Sequence, residues 1–389
     1  MRWSRRRFLR WSVAIPLPEL ALAAGEEVVP FDDYTADFSV EAQAATPRIK
    51  CFDLRRLTSW ATPSSEVFSF HQTQTMRADA KDWRLRIGGL VERTAEFSLD
   101  DLLSRVDRRD VAVTLECSGN SGDSRIMNGL VSNAVWTGVS LAAVLKECGV
   151  KSQAREVVFF GVDSEQDRKF EAAGAAYDSP HGHSIFVQDA LAGEGILAFA
   201  MNHEPLTAER GFPLRLMLPG WYGMPQVKWL NRIEVIDRRY EGRHMARNYQ
   251  SLRAVKTPEG IVWLDTSISR NNLKSVIARV TRRRAGDRFE HKVSGTAWGG
   301  PARIEKVEVQ FDGGPWRPAK IDYRNGESAW LMWSLAWNDA APGRHVLVSR
   351  ATNVRGDIQL TREELRSNLI SNREDSSQWS RAVVIESKG

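Results

Sequence analysis

The chain has 389 residues, of which 42% are hydrophobic and 26% are charged, and its mean hydropathy is -0.38. This balance excludes a disordered chain, a collagen-like chain and a bundle of membrane helices. The length predicts at least two domains, because single hydrophobic cores rarely grow past roughly 250 to 300 residues. The net charge is +5, and five arginines in the first 23 residues supply most of it. The nearly neutral remainder excludes a nucleic-acid-binding surface.

The N-terminus has the layout of an export signal. Arginines at 5–7 precede Phe8-Leu9 and a short apolar run over 11–17, and an Ala-Leu-Ala sequence at 21–23 has the small residues of a cleavage site. Paired arginines before Phe-Leu resemble a twin-arginine export signal. We therefore expect a signal peptide over 1–23 and a periplasmic location. No other uncharged apolar run reaches 18 residues, so no stable membrane insertion is expected.

The next part of the chain mixes short strands with short helices. Residues 24 to about 80 have little periodicity and predict an extended segment. Helices are predicted from Ser98 and from Ser140, each of which can cap the turn that follows it. Strands are predicted at Trp83–Val91, Val111–Leu115, Val157–Phe160, Ile196–Met201, Leu214–Leu218 and Val227–Ile236. The mixture predicts an α+β fold with several small sheets over residues 24–262.

After residue 262 the pattern changes to strands separated by turns rich in glycine and proline. The predicted strands are Ser275–Ala278, Lys292–Thr296, Ile304–Phe311, Ala329–Trp333 and His345–Ala351. Only Glu363–Leu369 has a helical pattern in this region. Regular short strands with turn signals predict a β-sandwich of immunoglobulin type over residues 263–389. Its core and one face would be supplied by tryptophans: Trp298, Trp316, Trp330, Trp333 and Trp337.

The chain has three cysteines, and they have different surroundings. Cys148 lies on the apolar face of the helix predicted after Ser140, which indicates a core thiol. Cys117 follows a strand directly and is followed by Ser-Gly-Asn-Ser-Gly, residues too small to shield its sulfur. Such a thiol suits a cysteine nucleophile, a redox thiol or a ligand for a soft metal. The absence of a Cys-x-x-Cys motif disfavours the redox alternative.

Several motifs resemble the sulfite oxidase family of molybdenum-pterin oxidoreductases. Glu-Cys-Ser-Gly-Asn at 116–120, with Trp-Thr-Gly-Val at 136–139, resembles the family's molybdenum-ligating segment. The runs at 211–215, 218–223 and 227–230 are similar to its pterin-contacting segments, and the run at 201–206 is similar to the segment that precedes them. The segments at 295–298, 307–309 and 312–314, with Trp316, are similar to its immunoglobulin-type dimerisation domain. The resemblance extends from about residue 65 to the end of the chain.

The resemblance implies Mo-molybdopterin as the cofactor and a role for each matching residue. Cys117 would be the protein ligand to molybdenum, completing a sulfur-rich ligand set. Arg215 and Lys228 would bind the pterin phosphate, which Arg210 could also reach. Asp163 would accept hydrogen bonds from the pterin ring. The remaining implied contacts to the cofactor are His71, Gln72, Gln226 and Val227.

Departures from the family pattern concern the substrate. Phe70 stands where the family's sulfite oxidases have an arginine, and Ser121 and Gly122 replace arginines that often follow the cysteine segment. Arg125 could substitute for them from another backbone position. His181 replaces a tyrosine near the metal, and an imidazole there is suited to proton transfer or hydrogen bonding. The spacing of His181 and His183 also fits zinc, but the sequence offers no further ligand nearby.

The resemblance implies a periplasmic oxidoreductase that transfers an oxygen atom at molybdenum. Its substrate would be sulfite or another small sulfur compound, including a protein-bound sulfane, and a reductase is an alternative. Since the chain has no Cys-x-x-Cys-His haem motif, electrons would pass to an external carrier such as a c-type cytochrome. The immunoglobulin-type domain would form a homodimer. Two other classes remain open, a cofactor-free binding protein with the same fold and a cysteine hydrolase.

Overall fold

A computed structural model of the chain describes residues 22–33, 49–70, 75–123, 126–167 and 177–386. The side chains of residues 165–167 and 177–178 are not described. The predicted signal peptide lies almost entirely outside these ranges. Three predicted site residues, His71, Gln72 and Arg125, also lie outside them. In the described part of the chain, every helix is too short or too polar to cross a membrane.

Strands make up most of the regular structure. They are, in chain order, β1 (Glu26–Val29), β2 (Ile49–Lys50), β3 (Ser69–Phe70), β4 (Arg84–Gly89), β5 (Ala95–Ser98), β6 (Arg108–Glu116), β7 (Val131–Ser140), β8 (Glu156–Asp167), β9 (Tyr177–Phe186), β10 (Ile196–Met201), β11 (Glu204–Pro205), β12 (Arg215–Met217), β13 (Leu230–Ile236), β14 (Gln250–Thr257), β15 (Gly260–Ser267), β16 (Lys274–Ala285), β17 (Arg288–Trp298), β18 (Ile304–Phe311), β19 (Arg317–Pro318), β20 (Lys320–Tyr323), β21 (Leu331–Trp337), β22 (Gly343–Asn353), β23 (Leu369–Ile370) and β24 (Ser380–Ile385).

Helices are few and short. The α-helices of the described residues are α1 (Leu99–Ser104), α2 (Leu141–Cys148), α3 (Val187–Leu191) and α4 (Arg362–Asn368), and single helical turns occur at Leu54–Arg56, Ala208–Arg210 and His244–Asn248. The fold is therefore mostly β, and the predicted α+β class overstates its helical content. The reason lies in the strand directions. Nearly all neighbouring strands are antiparallel and need no helical crossover, whereas β4 and β13 pair in parallel.

The helices α1 and α2 begin at the capping residues from which they were predicted. The Ser98 side chain accepts a hydrogen bond from the backbone N–H of Asp101, whose carboxylate bonds back to Ser98 and completes a capping box at the start of α1. At the start of α2 the Ser140 side chain accepts a hydrogen bond from the Ala143 N–H, and Gly149 ends the helix with a φ of 72°. Cys148, the last residue of α2, is buried in the core, which confirms the prediction of a core thiol.

Two five-stranded sheets form the first unit of the molecule, and they bring the end of β6 to the same cleft as residues within β8 and β9. One sheet has the order β11-β10-β7-β6, with β12 also paired to β10, and the other has the order β5-β4-β13-β8-β9. A shared core with α2 between them includes Leu141, Phe159, Leu197 and Trp229. A smaller sheet, β15-β14-β23, adjoins this unit.

Two further sheets form the second unit. One has the order β1-β16-β17-β21-β20 and the other β19-β18-β22-β24. Both contribute to a single core, in which Val293 and Trp333 of the first sheet accompany Val309 and Leu347 of the second. The N-terminal strand β1 pairs with β16, so the start of the described chain belongs to this unit.

Tryptophans join the two units rather than filling only the core of the second. Trp298 and Trp330 belong to a buried cluster that also contains Trp60 and Val135 from the first part of the chain. The indole N–H of Trp60 donates to the carbonyl oxygen of Trp330 at 2.8 Å, and the indole of Trp330 returns the same bond to Trp60 at 2.8 Å. Trp333 and Trp337 lie in the core of the second unit, as predicted.

Candidate functional site

The Cys117 segment leaves β6 in a tight, hydrogen-bonded turn. The backbone N–H of Cys117 donates to the Leu130 carbonyl at 2.9 Å, and the N–H of Asn120 donates to the Cys117 carbonyl at 2.9 Å. The Gly119 N–H donates to the Cys117 sulfur. The side chain is half-buried, and burial raises the pKa of the thiol, an effect that Gly119 and Arg373 oppose. A metal that binds the thiolate would replace the proton that this environment favours.

Cys117 lines a cleft of about 820 Å³, part of which is open to solvent. The cleft collects predicted site residues from distant parts of the chain: Cys117, Asp163, His181, Arg210, Arg215, Gln226 and Lys228. Phe70, at the position of the expected arginine, lines the same cleft.

Arg215 lies at the start of β12, where the sheet buries its guanidinium. Nη1 donates to the Arg210 carbonyl at 3.0 Å and Nη2 to the Gln226 carbonyl at 3.2 Å. The guanidinium lies over the ring of Trp136, 4.7 Å from its centroid. Nε is buried, and no atom of the described residues accepts a hydrogen bond from it. Arg215 therefore has donor capacity and positive charge that its neighbours do not use fully.

Two more cations accompany Arg215. Arg210 is buried and donates to the backbone carbonyls of Val67 and Phe68. The Lys228 ammonium lies 4.4 Å from the centre of the Trp229 ring. Burial, together with the charge of neighbouring arginines, lowers the pKa of Arg215 to about 9 and that of Lys228 to about 7. Within the described residues no carboxylate forms a salt bridge with either arginine, so the cluster favours a bound anion.

Asp163 lines the same cleft as this cationic cluster. It is buried at a bend in β8, where the register with β9 shifts between Phe160 and Ser164. A Cβ atom at Gly161 would come within 2.4 Å of the Asp163 carboxylate, so the absence of a side chain there permits this arrangement. The carboxylate acts on Lys228 by raising its pKa, against the larger effect of burial. Asp163 thus provides the one buried negative charge that we identify among the described residues lining this cleft.

His181 lies on β9, and its ring packs 4.7 Å from the ring of His244. Burial and the nearby charge of Lys228 lower the pKa of His181 to about 4, although a hydrogen bond with the Met224 backbone opposes this effect. The imidazole is therefore neutral near pH 7. It is suited to hydrogen bonding, whereas the sequence also suggested proton transfer near neutral pH.

Gln226 and Val227 differ from the other predicted cofactor contacts. The Gln226 amide accepts from the Leu218 N–H at 2.6 Å and donates to the carbonyls of Leu218 and Trp221 at 2.8 and 3.1 Å. Its polar atoms therefore hold the turn that shapes the cleft. The Val227 side chain is fully buried in the core of the first unit, so only its backbone could contact a ligand.

Other residues of the cleft were not predicted individually. Met224 and Tyr249 line it near Cys117, and His244 packs against His181 from a single helical turn. Met224 directly follows the motif at 218–223, which could have indicated its position. His244 and Tyr249 follow a stretch without a strong periodic pattern, and only the packing of the chain brings them to β9.

The geometry also bears on two alternatives. Within the described residues no three His, Cys, Asp or Glu side chains are arranged to hold a metal ion by themselves, so the zinc alternative gains no support. A cysteine hydrolase requires an activated thiolate. Here burial raises the pKa of Cys117, and the pKa of the neighbouring His181 is too low for it to act as a base near neutral pH.

The residues of the cleft fit a phosphate-bearing, sulfur-containing cofactor. The phosphate would be bound by Arg215, whose Nε lacks an acceptor, together with Arg210 and Lys228. A Cβ atom at Gly211 would approach the Cβ atoms of Lys228 and Arg215 to 3.0 and 3.2 Å, so a glycine there permits close packing against these two residues. Cys117 offers the sulfur ligand that a soft metal prefers.

Comparisons with known proteins agree with this chemistry. Residues 71–244 match the oxidoreductase molybdopterin binding domain. The chain is 30% identical over 294 residues to nitrate reductase [NADH] 1 of Arabidopsis thaliana, covering 67% of this chain and 31% of that protein. It is 28% identical over 347 residues to nitrate reductase [NAD(P)H] of Betula pendula, covering 79% of this chain and 38% of that protein. The chain thus spans about a third of the length of these relatives.

A solved structure shares nearly the whole fold. The sulfane dehydrogenase SoxCD from Paracoccus pantotrophus matches with a TM-score of 0.72 and 25% sequence identity, over 93% of this chain and 90% of that chain. A match of this extent includes both units. Together, the matched domain, the relatives and the shared fold establish that this chain belongs to the sulfite oxidase family of molybdenum-pterin oxidoreductases, whose cofactor is Mo-molybdopterin.

Proposed function

We propose that the chain is a periplasmic oxidoreductase that transfers oxygen atoms to or from a small sulfur compound. The observation that carries this proposal is the position of Cys117 in one cleft with Arg210, Arg215 and Lys228. A sulfur ligand and a buried phosphate-binding cluster are the two requirements of a molybdenum held by a phosphorylated pterin. A binding protein that had lost the cofactor would have no reason to keep this costly group of buried cations.

Each residue of the cleft has a defined task in this proposal. Cys117 is the protein ligand to the metal, which when bound supplies oxygen-atom exchange and accepts or donates two electrons. Arg210, Arg215 and Lys228 hold the phosphate, while Asp163 accepts N–H donors of the pterin ring. His181 is neutral and donates or accepts a hydrogen bond near the metal. His71, Gln72 and Arg125 remain proposed contacts that lie outside the described residues.

The lining of the cleft favours a substrate other than a free sulfite dianion. Leu115, Met224 and Tyr249 lie near Cys117, and Phe70 occupies the position of the expected arginine. The three cations of the cleft are committed to the cofactor phosphate. We therefore favour a bulkier or less charged sulfur compound, in line with the similarity to a sulfane dehydrogenase.

The setting of the enzyme belongs to the same proposal. The twin-arginine signal at 1–23 would direct export to the periplasm, and an external carrier such as a c-type cytochrome would exchange electrons with the metal. Residues 24–262, apart from β1, which pairs with β16, would form the molybdopterin domain. Residues 263–389 would form an immunoglobulin-type sandwich that pairs two copies of the chain. The face-to-face packing of two sheets in the second unit supports the sandwich.

A reductase is the second candidate. It is favoured by the similarity to plant nitrate reductases, which covers 67 to 79% of this chain. In this case the same cleft would bind an oxygen donor, and the metal would receive electrons from the carrier. The positions of Cys117 and of the phosphate-binding cluster do not distinguish the two directions.

Elemental analysis and dye-coupled assays test the proposal. The wild-type chain and a Cys117→Ser variant are purified from an export-competent host that inserts Mo-molybdopterin, and molybdenum is measured per chain. Oxidation of sulfite, thiosulfate and a persulfide is then compared with reduction of nitrate. We expect near-stoichiometric molybdenum in the wild-type chain, oxidation of a sulfur compound, and loss of turnover by at least about a thousandfold in the variant.

The outcomes separate the alternatives. Turnover of nitrate without oxidation of any sulfur compound would favour the reductase. A wild-type chain that contains no molybdenum, from a host that loads a related enzyme, would contradict the proposal and favour a binding protein. A variant with normal turnover would show that Cys117 is not the metal ligand.

A further inference from the structure

The residue before Cys117 is a buried carboxylate held mainly from the second unit. Glu116 is 1% exposed, and its Oε2 accepts from the indole N–H of Trp298 at 2.8 Å and from the Asn271 amide at 3.3 Å. Its Oε1 accepts from the Asn120 amide at 2.9 Å and lies 3.2 Å from the Lys274 ammonium. The carboxylate thus has four donors, and three of them lie between β15 and the end of β17.

The Lys274 ammonium contacts both the Cys117 turn and the segment before β24. The side chain is 0% exposed, and besides Glu116 its nitrogen donates to the carbonyls of Asn120 at 3.4 Å and Asp375 at 2.7 Å. Two of the three bonds therefore hold residues on either side of Cys117 and Ser118. A buried charge pair is a costly arrangement that a pair of apolar residues could replace, so its retention indicates a positional role.

We propose that Lys274, acting through Glu116 and Asn120, is a positioning residue for the sulfur of Cys117. The Glu116 carbonyl also accepts the Gly223 N–H at 2.6 Å, so a shift of Glu116 would move both the cysteine turn and the turn that carries Met224. The second unit thereby determines where the metal ligand lies in a cleft built by the first unit. The role as metal ligand rests on the proposed function, whereas the position of the thiol does not.

Alkylation of the cofactor-free protein measures this position without the metal. The rate of Cys117 modification by iodoacetamide is measured by peptide mass spectrometry over a range of pH. The plateau that this rate reaches at high pH is then compared between the wild-type chain and its variants. At the plateau the thiol is fully ionised, so the rate reports access and orientation rather than pKa. Peptide mapping separates Cys117 from the buried Cys51 and Cys148.

Three variants are compared with the wild-type chain, two that alter the hydrogen bonds to Glu116 and one that serves as a control. Lys274→Met removes the three bonds, and Trp298→Phe removes only one donor to the same carboxylate while keeping an aromatic ring. Lys292→Met is the matched control, because Lys292 lies in the same sheet and pairs with Glu26 at 2.6 Å, away from Cys117. We expect the plateau rate to rise at least about tenfold in Lys274→Met, two- to fivefold in Trp298→Phe, and less than twofold in the control.

Molybdenum content is the second readout. In the loading host we expect the metal per chain to fall by at least half in Lys274→Met and to be unchanged in Lys292→Met. If Lys274→Met does not fold, Trp298→Phe carries the test. A folded variant with wild-type alkylation and wild-type metal content would overturn the inference. A wild-type chain that never binds molybdenum, with the expected alkylation differences, would contradict the proposed function and leave the positioning role intact.

Discussion

At the scale of single residues, the cleft contains several cationic side chains whose charged forms are destabilised by burial until an anionic ligand binds. Arg215 and Lys228 are buried beside each other, and the loss of solvation lowers the pKa of each. A bound phosphate would reverse both effects, because an anion stabilises the protonated forms. The cofactor-free protein therefore carries an electrostatic cost that the loaded protein does not.

Lys228 gives this cost a measurable pH dependence. Its pKa is about 7 in the folded, cofactor-free chain against an ordinary 10.5, so between these values the unfolded chain binds the extra proton. Stability contributed by this site therefore rises with pH through that window and is lowest below pH 7. Between pH 7 and 9, we expect the free energy of unfolding of the wild-type chain to rise by about 1.4 kcal/mol per pH unit relative to that of Lys228→Met.

Urea unfolding of both cofactor-free proteins at pH 6, 7, 8 and 9 tests this expectation. A constant difference between the two proteins over the whole range would contradict it. The same series with saturating inorganic phosphate should show a smaller slope if the anion binds at Lys228.

Ser118 offers a second prediction at this scale. Its hydroxyl is buried next to Cys117, and no described residue is its hydrogen-bond partner. In the cofactor-free protein we expect Ser118→Ala to leave the free energy of unfolding unchanged or to raise it by about 1 kcal/mol, because an unsatisfied polar group is removed.

Ser184→Ala is the matched control for Ser118→Ala. Ser184 is equally buried, but its hydroxyl donates to Glu156 at 2.6 Å, so its removal should cost about 1 to 3 kcal/mol. Both values follow from urea unfolding at pH 7. Equal losses in the two variants would show that the Ser118 hydroxyl is satisfied in solution.

At the scale of elements, the turn after Cys117 packs against the segment before β24. A Cβ atom at Gly122 would lie 2.2 to 2.8 Å from the indole ring of Trp379, which leaves room only for glycine. At this position the family often has an arginine. Here the ring of Trp379, from the second unit, fills the space where a side chain of residue 122 would begin. The Trp379 indole is in turn held by Asp375 at 3.0 Å.

We expect Gly122→Ala to destabilise the protein by about 1 to 3 kcal/mol through overpacking. In a Trp379→Ala background, where the ring is absent, the same substitution should cost less than about 0.5 kcal/mol. The four proteins of this double-mutant cycle are compared by thermal unfolding. Additive effects would show that the two positions do not touch in solution.

At the scale of the whole molecule, the two units share a buried interface. This interface contains the reciprocal hydrogen bonds between the indoles and carbonyls of Trp60 and Trp330. The backbone N–H of Trp330 also donates to the Thr114 hydroxyl at 2.6 Å. Thr114 is on β6, three residues before Cys117. Unfolding of one unit would therefore expose the apolar side of the other.

We expect Trp330→Ala to lower the free energy of unfolding by about 3 to 5 kcal/mol. In the wild-type protein we expect both units to unfold in a single calorimetric transition. Trp263→Ala is the control, since Trp263 is 38% exposed on β15 and its loss should cost less than about 0.5 kcal/mol. Two separate transitions in the wild-type protein would show that the interface does not couple the units.

Much of the local structure follows from short stretches of sequence. The caps at Ser98 and Ser140, the stop at Gly149 and the strand Ile304–Phe311 depend on neighbours in the chain and were predicted. The predicted α+β class overstated the helical content, although the individual helices predicted after Ser98, after Ser140 and over Glu363–Leu369 are present. The class was missed because antiparallel pairing of distant strands is invisible in local patterns. The long strand β9 was missed, although it carries His181.

By itself the sequence determined the chemistry available to this protein, because Cys117 and the run that contains Arg215 and Lys228 carry recognisable motifs of their own. Only the tertiary structure decided how that chemistry is arranged. It lowers the pKa of His181 through burial, places Val227 in the core, and brings Lys274 to Glu116 across 158 positions of the chain. Solvation and contact between distant segments depend on the folded packing, which no single stretch of sequence contains.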